Sequence, residues 1–164
     1  MEDIEKELGP LLDNYNKKYE EFKNDSERKV KETNEFEGQF KTLINTVIRP
    51  EMEKYKQLLD KRGFSSLIKV EPEHGFENKS PKISLTFSYK KTKSYATSHP
   101  SITFSADGKT IRMYENKFDP GGSGGSGERG SFEINQITPE LVREKLNDFL
   151  RSLFSREWQS YDFE

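Results

Sequence analysis

Cysteine is absent from the chain. Its absence excludes disulfides, thiolate zinc sites, iron–sulfur clusters and a cysteine nucleophile. Histidine is almost absent as well: only His74 and His99 are present, each beside turn residues. Glu71, Glu73 and His74 are near neighbours, but nothing in the spacing gathers the three or four ligands that a metal needs. No apolar run approaches the ~20 residues of a bilayer-spanning helix. The acidic start Met1-Glu2-Asp3-Ile4-Glu5-Lys6-Glu7 lacks the apolar stretch of a signal peptide. Apolar residues make up 30 % of the chain against 34 % charged. A soluble cytoplasmic protein with a thin core and no membrane partner is the expectation.

Recognisable catalytic signatures are missing too. The stretch Gly121–Gly127 formally matches Gly-x-Gly-x-x-Gly and Gly-x-Ser-x-Gly. Both patterns require a helix immediately afterwards, whereas a strand pattern follows here. Gly/Ser repeats match such patterns trivially and resemble engineered linkers, so residues 119–130 are read as a Gly/Ser-rich loop. No carboxylate pair, Ser-His-Asp order or phosphate-binding lysine is evident. No catalytic residue, metal ligand or cofactor is therefore assigned, and an enzyme is the less favoured class.

What the chain does have is helical periodicity. Between Pro10 and Arg49 there is one glycine, Gly38, and no proline. Apolar residues recur every three or four positions at Leu8, Leu11, Leu12, Tyr15, Tyr19 and Phe22. They recur again at Phe36, Phe40, Leu43, Ile44, Val47 and Ile48, and continue through Met52, Tyr55, Leu58 and Leu59. Pro50 predicts a kink, and Lys61-Arg62-Gly63 predicts the helix end. Val30 is the only aliphatic residue from Lys23 to Glu35. That gap fits either one long arm or a hairpin with its tip near Asn24-Asp25-Ser26 or Thr33-Asn34. The absence of a glycine or proline at a tip favours the arm, which over residues 10–49 would span about 60 Å at ~1.5 Å per residue.

After Gly63 the period changes to two. Strands are predicted at Ser66–Glu71, Lys82–Tyr89, Ser101–Ser105, Thr110–Lys117 and Ser131–Asn135, with a hairpin at Asp107-Gly108. One-sided alternation indicates an antiparallel sheet with a single covered face. The cover is a last helix with Thr138 as N-cap and Pro139 in its first turn. Its apolar face runs through Leu141, Val142, Leu146, Phe149, Leu150, Leu153 and Phe154. The tail from Trp158 to Glu164 is aromatic and acidic. The expected fold is thus α+β: a helical arm over 1–62, kinked near Pro50, then a five-stranded antiparallel meander and a covering helix over 63–164. That order is similar in outline to adaptor modules attached to coiled coils, the kinetochore-type RWD modules among them, without the proline motif of that group.

Charge is distributed unevenly, with a net of −2 over residues 1–62, +4 over 63–118 and −4 over 119–164. The basic middle gives one candidate site, Lys90, Lys91, Lys93, Arg112 and Tyr114, where cations and aromatics suit a single-stranded polyanion. The helical arm gives the other. Phe36, Phe40, Leu43, Ile44, Val47 and Ile48 are too many apolar groups for a solvated helix, and are read as a face for a protein partner or for self-association. The functional expectation is a non-enzymatic protein-binding, assembly or adaptor protein. Nucleic-acid binding is the alternative, and a small-ligand binder or an enzyme without a motif comes third.

Overall fold

Pro50 has no amide hydrogen and crowds the preceding turn. The chain answers with a wider turn just before it. In the computed structural model, Ile44–Ile48 is a π-helical turn in which the Arg49 N–H donates to the Ile44 carbonyl. It joins α1 (Glu2–Leu43) to α2 (Arg49–Lys61), which carries Pro50 in its first turn where no donor is needed. The structure describes residues 2–72, 80–89, 99–118 and 124–155. Strands follow at β1 (Ser65–Glu71), β2 (Lys82–Ser88), β3 (Ser101–Asp107), β4 (Thr110–Phe118) and β5 (Gly124–Phe132), and α3 (Pro139–Phe154) ends the fold. The chain divides into two compact units, residues 1–35 and residues 36–164.

Helix α1 is unbroken, so the hairpin with a tip near Asn24 or Thr33 does not form. Arg28 lies 3.5 Å from Asp25 and 4.0 Å from Glu32, i+3 and i+4 pairs that support the helix through its polar stretch. Helix α2 ends as its sequence requires. Gly63 takes a φ of 86°, and Phe64 N–H reaches back 3.0 Å to the Leu59 carbonyl, closing the last turn.

The five strands form one antiparallel meander in the order β1-β2-β3-β4-β5. Opposite Leu85 on β2 lie Ile68 of β1 and Ile102 of β3, and opposite Phe104 lie Ile83 and Met113. These rows form the inner face, which α2, α3 and the π turn cover. Phe40, Ile44, Ile48 and Met52 from the helical side meet Ile83, Phe104, Ile111 and Phe149 in one buried cluster. Edge-to-face rings extend it, Phe87 lying 5.8 Å from Phe64 and 6.4 Å from Phe149. Tyr89 is buried and its hydroxyl donates to the Phe118 carbonyl at 2.8 Å. Thr138 caps α3 by accepting from the Leu141 N–H, and Val142, Leu146, Phe149 and Leu153 are its buried face. Leu141 and Leu150 pack against that core, whereas Phe154 remains 43 % exposed.

The last strand differs from the expected one. It comprises Gly124–Phe132, so most of the stretch expected to be a Gly/Ser-rich loop is sheet, while Ile134–Gln136 is a 3-10 turn and not strand. The edge of β4 would otherwise leave its N–H and C=O groups unpaired, and backbone pairing outweighs the poor strand propensity of glycine. Glycine also fits sterically. Gly124 has a φ of 155°, and a Cβ there would run into the Lys117 carbonyl. A Cβ on Gly130 would stand 2.8 Å from the Phe132 ring, so that ring fills the space the glycine leaves. A bulge at Met113/Tyr114 offsets the pairing of β4 with β5.

Candidate functional site

The six helical residues read as a partner face take different places. Phe36, Phe40, Ile44 and Ile48 are buried in the chain's own core, and Leu43 and Val47 are half-buried against it. They are therefore occupied by the inner face of the sheet and α3, and present no free docking face. Spacing is the reason: Phe36, Phe40, Ile44 and Ile48 recur every four positions and share the face that packs on the sheet, while Asn45 and Thr46 of the π turn face solvent.

Of the polyanion candidates, Arg112 and Tyr114 fall among the described residues. Lys90, Lys91 and Lys93 lie outside the described residues, as does the tail from Trp158 to Glu164. Arg112 and Tyr114 do share the outer face of β4, with Tyr114 38 % exposed. Arg112 is already engaged, its Nε 2.8 Å from Asp107 and its Nη1 3.3 Å from Glu128. The Asp107 charge, with Glu128 behind it, raises the guanidinium further above its ordinary value. On the same face Glu71 lies between Lys69 (2.6 Å) and Lys82 (2.9 Å). Among the described residues of this face, three cations thus face three carboxylates.

The Glu71 clamp has a pH signature. Hydrogen bonds from Lys69, then Lys82, pull its carboxyl from 4.5 down to about 2. A carboxylate depressed by folding adds stability above its unfolded value, and that contribution is lost as the pH falls through the folded one. Glu71→Gln is therefore expected to lower stability at neutral pH by no more than about 1 kcal/mol, because both lysines are partly solvated. The gap between the two proteins should close as the pH drops from 4.5 toward 2. Denaturant melts across that range check this.

A buried charge, Glu51, ties α2 to α3. Glu51 accepts from Lys54 at 2.8 Å and from Arg143 at 3.3 and 3.4 Å. The Lys54 hydrogen bond, with help from Arg143, keeps its carboxyl below the usual range despite burial. Beside it the Tyr55 hydroxyl donates to Asn147 Oδ1 at 2.6 Å, and burial raises its pKa. Every group here has a protein partner, so the cluster reads as a latch and not as a site for chemistry. Below the latch a cleft of about 530 Å³ opens between Leu58, Phe64, Leu150 and Phe154, with Arg62 and Arg151 also lining it. Among the described residues, no group of three or more His, Asp or Glu converges as metal ligands would. Nor is any helix among them long and apolar enough to cross a membrane.

What remains is the first unit. None of residues 2–35 is buried. Ile4, Leu8, Leu11, Leu12, Tyr15, Tyr19 and Phe22 are all exposed, from 44 % at Leu8 to 70 % at Phe22. At about 100° per residue these seven fall within one sector of the helix surface, a stripe of contiguous apolar groups. Single exposed leucines are ordinary on a protein surface, whereas here seven large apolar side chains are contiguous. The sequence contains this block as plainly as the one at 36–48. Its distinguishing signal is the pair of tyrosines, rings with a polar tip that suit a surface that is wet before binding.

Comparison of the chain with protein-family models, with curated proteins and with solved structures finds no match.

Proposed function

We propose that this is a non-enzymatic assembly or adaptor protein that docks a protein partner through the apolar face of residues 4–22. One observation carries the reading: seven large apolar side chains stand in line on α1, each exposed among the described residues. An amphipathic helix of this kind is recognised by laying its stripe into a groove or against another helix. The buried block at 36–48 supports the reading indirectly. It anchors the same helix in the core and leaves the stripe at 4–22 as the part available to a partner. The nucleic-acid alternative has weaker support, since Arg112 is paired with carboxylates.

Site-specific photocrosslinking in the native host tests the proposal. A benzophenone side chain at Tyr15 or Phe22 is expected to give discrete protein adducts. The same group at Leu67, an equally exposed residue on the outer sheet face, serves as control. Labelling at Tyr15 and Phe22 no stronger than at Leu67 would contradict a docking role for the stripe.

A further inference from the structure

We infer that the occupant of this face is a second copy of the same chain, paired antiparallel over residues 2–28. The inference rests on the docking reading above and adds the partner and its orientation. Charge gives the orientation. Residues 2–13 carry five acidic side chains and one lysine, whereas residues 17–28, which face them in that pairing, carry four cations and four carboxylates. A parallel pair would set the acidic half of each helix against itself. An antiparallel pair sets each acidic half against a half that is neutral overall and carries four cations, which removes that repulsion.

The apolar stripe has the symmetry this pairing needs. Its dense part runs from Leu8 to Phe22, and Tyr15 lies midway between them. Reversing one helix about Tyr15 brings Leu8 opposite Phe22, Leu11 opposite Tyr19 and Tyr15 opposite itself, so apolar groups meet at the centre of the contact. The flanks agree with the core of the contact. Glu5 and Lys23 are about five full turns apart at ~3.6 residues per turn, hence on the same flank of the stripe. In the antiparallel pair Glu5 of one copy falls near Lys23 of the other.

The size of the contact is adequate. Large side chains of this type lose roughly 100 Å² each when such exposure is removed, so two copies of the stripe remove about 1,400 Å², within the range of stable interfaces. The helix itself also gains from the pairing. Gly9 and Pro10 lie inside α1, where both residues weaken a helix, and no residue of 2–35 is buried to offset them. Pro10 falls about half a turn from the middle of the stripe and does not obstruct the contact.

The native absence of cysteine makes the test clean. Full-length chains carrying Glu5→Cys and Lys23→Cys are prepared separately, mixed, and oxidised. The mixture is expected to yield about tenfold more linked dimer than either variant alone, reflecting the raised effective concentration at a specific contact. Tyr15→Cys should link to itself. Light scattering on the unmodified chain should show a dimer. Dominant self-linking of Glu5→Cys would overturn the antiparallel pairing. A single-chain mass at high concentration with no linking at any position would overturn the second copy as partner. Adducts to a different protein at Tyr15 would in that case leave the docking reading standing, whereas their absence would remove both.

Discussion

Replacing Phe40 with alanine is expected to lower the unfolding free energy by about 3–5 kcal/mol, the cost of emptying a well-packed aromatic site. Phe40 is fully buried, in one cluster with Ile44, Ile48, Phe104 and Phe149. A natural domain is stable by only about 5–15 kcal/mol, so this one truncation removes a large fraction of the total. Phe22→Ala makes the same chemical change eighteen positions earlier on the same helix, where the ring is 70 % exposed. Measured in dilute solution, it should move stability by less than about 0.5 kcal/mol. Denaturant unfolding of the two variants separates the parts of α1. Equal and small losses would mean that the helix does not belong to the core at Phe40.

The second large effect concerns association. Leu11→Asp combined with Tyr15→Asp is expected to weaken docking at the stripe by at least about 100-fold. Burying an uncompensated charge costs several kcal/mol, and each 1.4 kcal/mol is about tenfold in affinity. In a pair of identical chains the double substitution introduces its carboxylates from both sides, which adds like-charge repulsion. Tyr15→Phe keeps the ring and should associate within a few-fold of the native chain. Sedimentation across a concentration series reads all three proteins. Undiminished association of the double aspartate variant would place the contact elsewhere on the molecule.

Much of the fold was legible because periodicity is a local signal. Alternation at Ile83, Leu85 and Phe87 gave the inward face of β2, and Asp107-Gly108 gave the turn between β3 and β4, where Gly108 takes a φ of 60°. Thr138-Pro139 marked the start of α3 because capping chemistry depends on a few adjacent residues. Strand β5 was hidden for the opposite reason. Gly124–Gly130 has no side-chain pattern to read, and its strand character comes from the unpaired edge of β4, a partner remote from the sequence signal. The site was only half legible. Periodicity identifies both apolar blocks of α1 but does not say which one the sheet covers. The π turn before Pro50 belongs with the core, and the Tyr-bearing block at 4–22 is left exposed. The outer-face cations looked available in sequence because the carboxylates that neutralise Arg112, at Asp107 and Glu128, reach it only through strand register.

The central claim is that α1 has two roles: residues 36–43 build the core, and residues 4–22 hold a partner. Hydrogen exchange on the full chain, followed by mass spectrometry at low and high protein concentration, tests both roles at once. The account predicts that amides of residues 36–48 exchange slowest and do so equally at both concentrations, because they open only with the whole fold. Amides of residues 4–22 should exchange fast when dilute and become protected as concentration rises. Fast exchange at 36–48, or concentration-independent protection at 4–22, would contradict it.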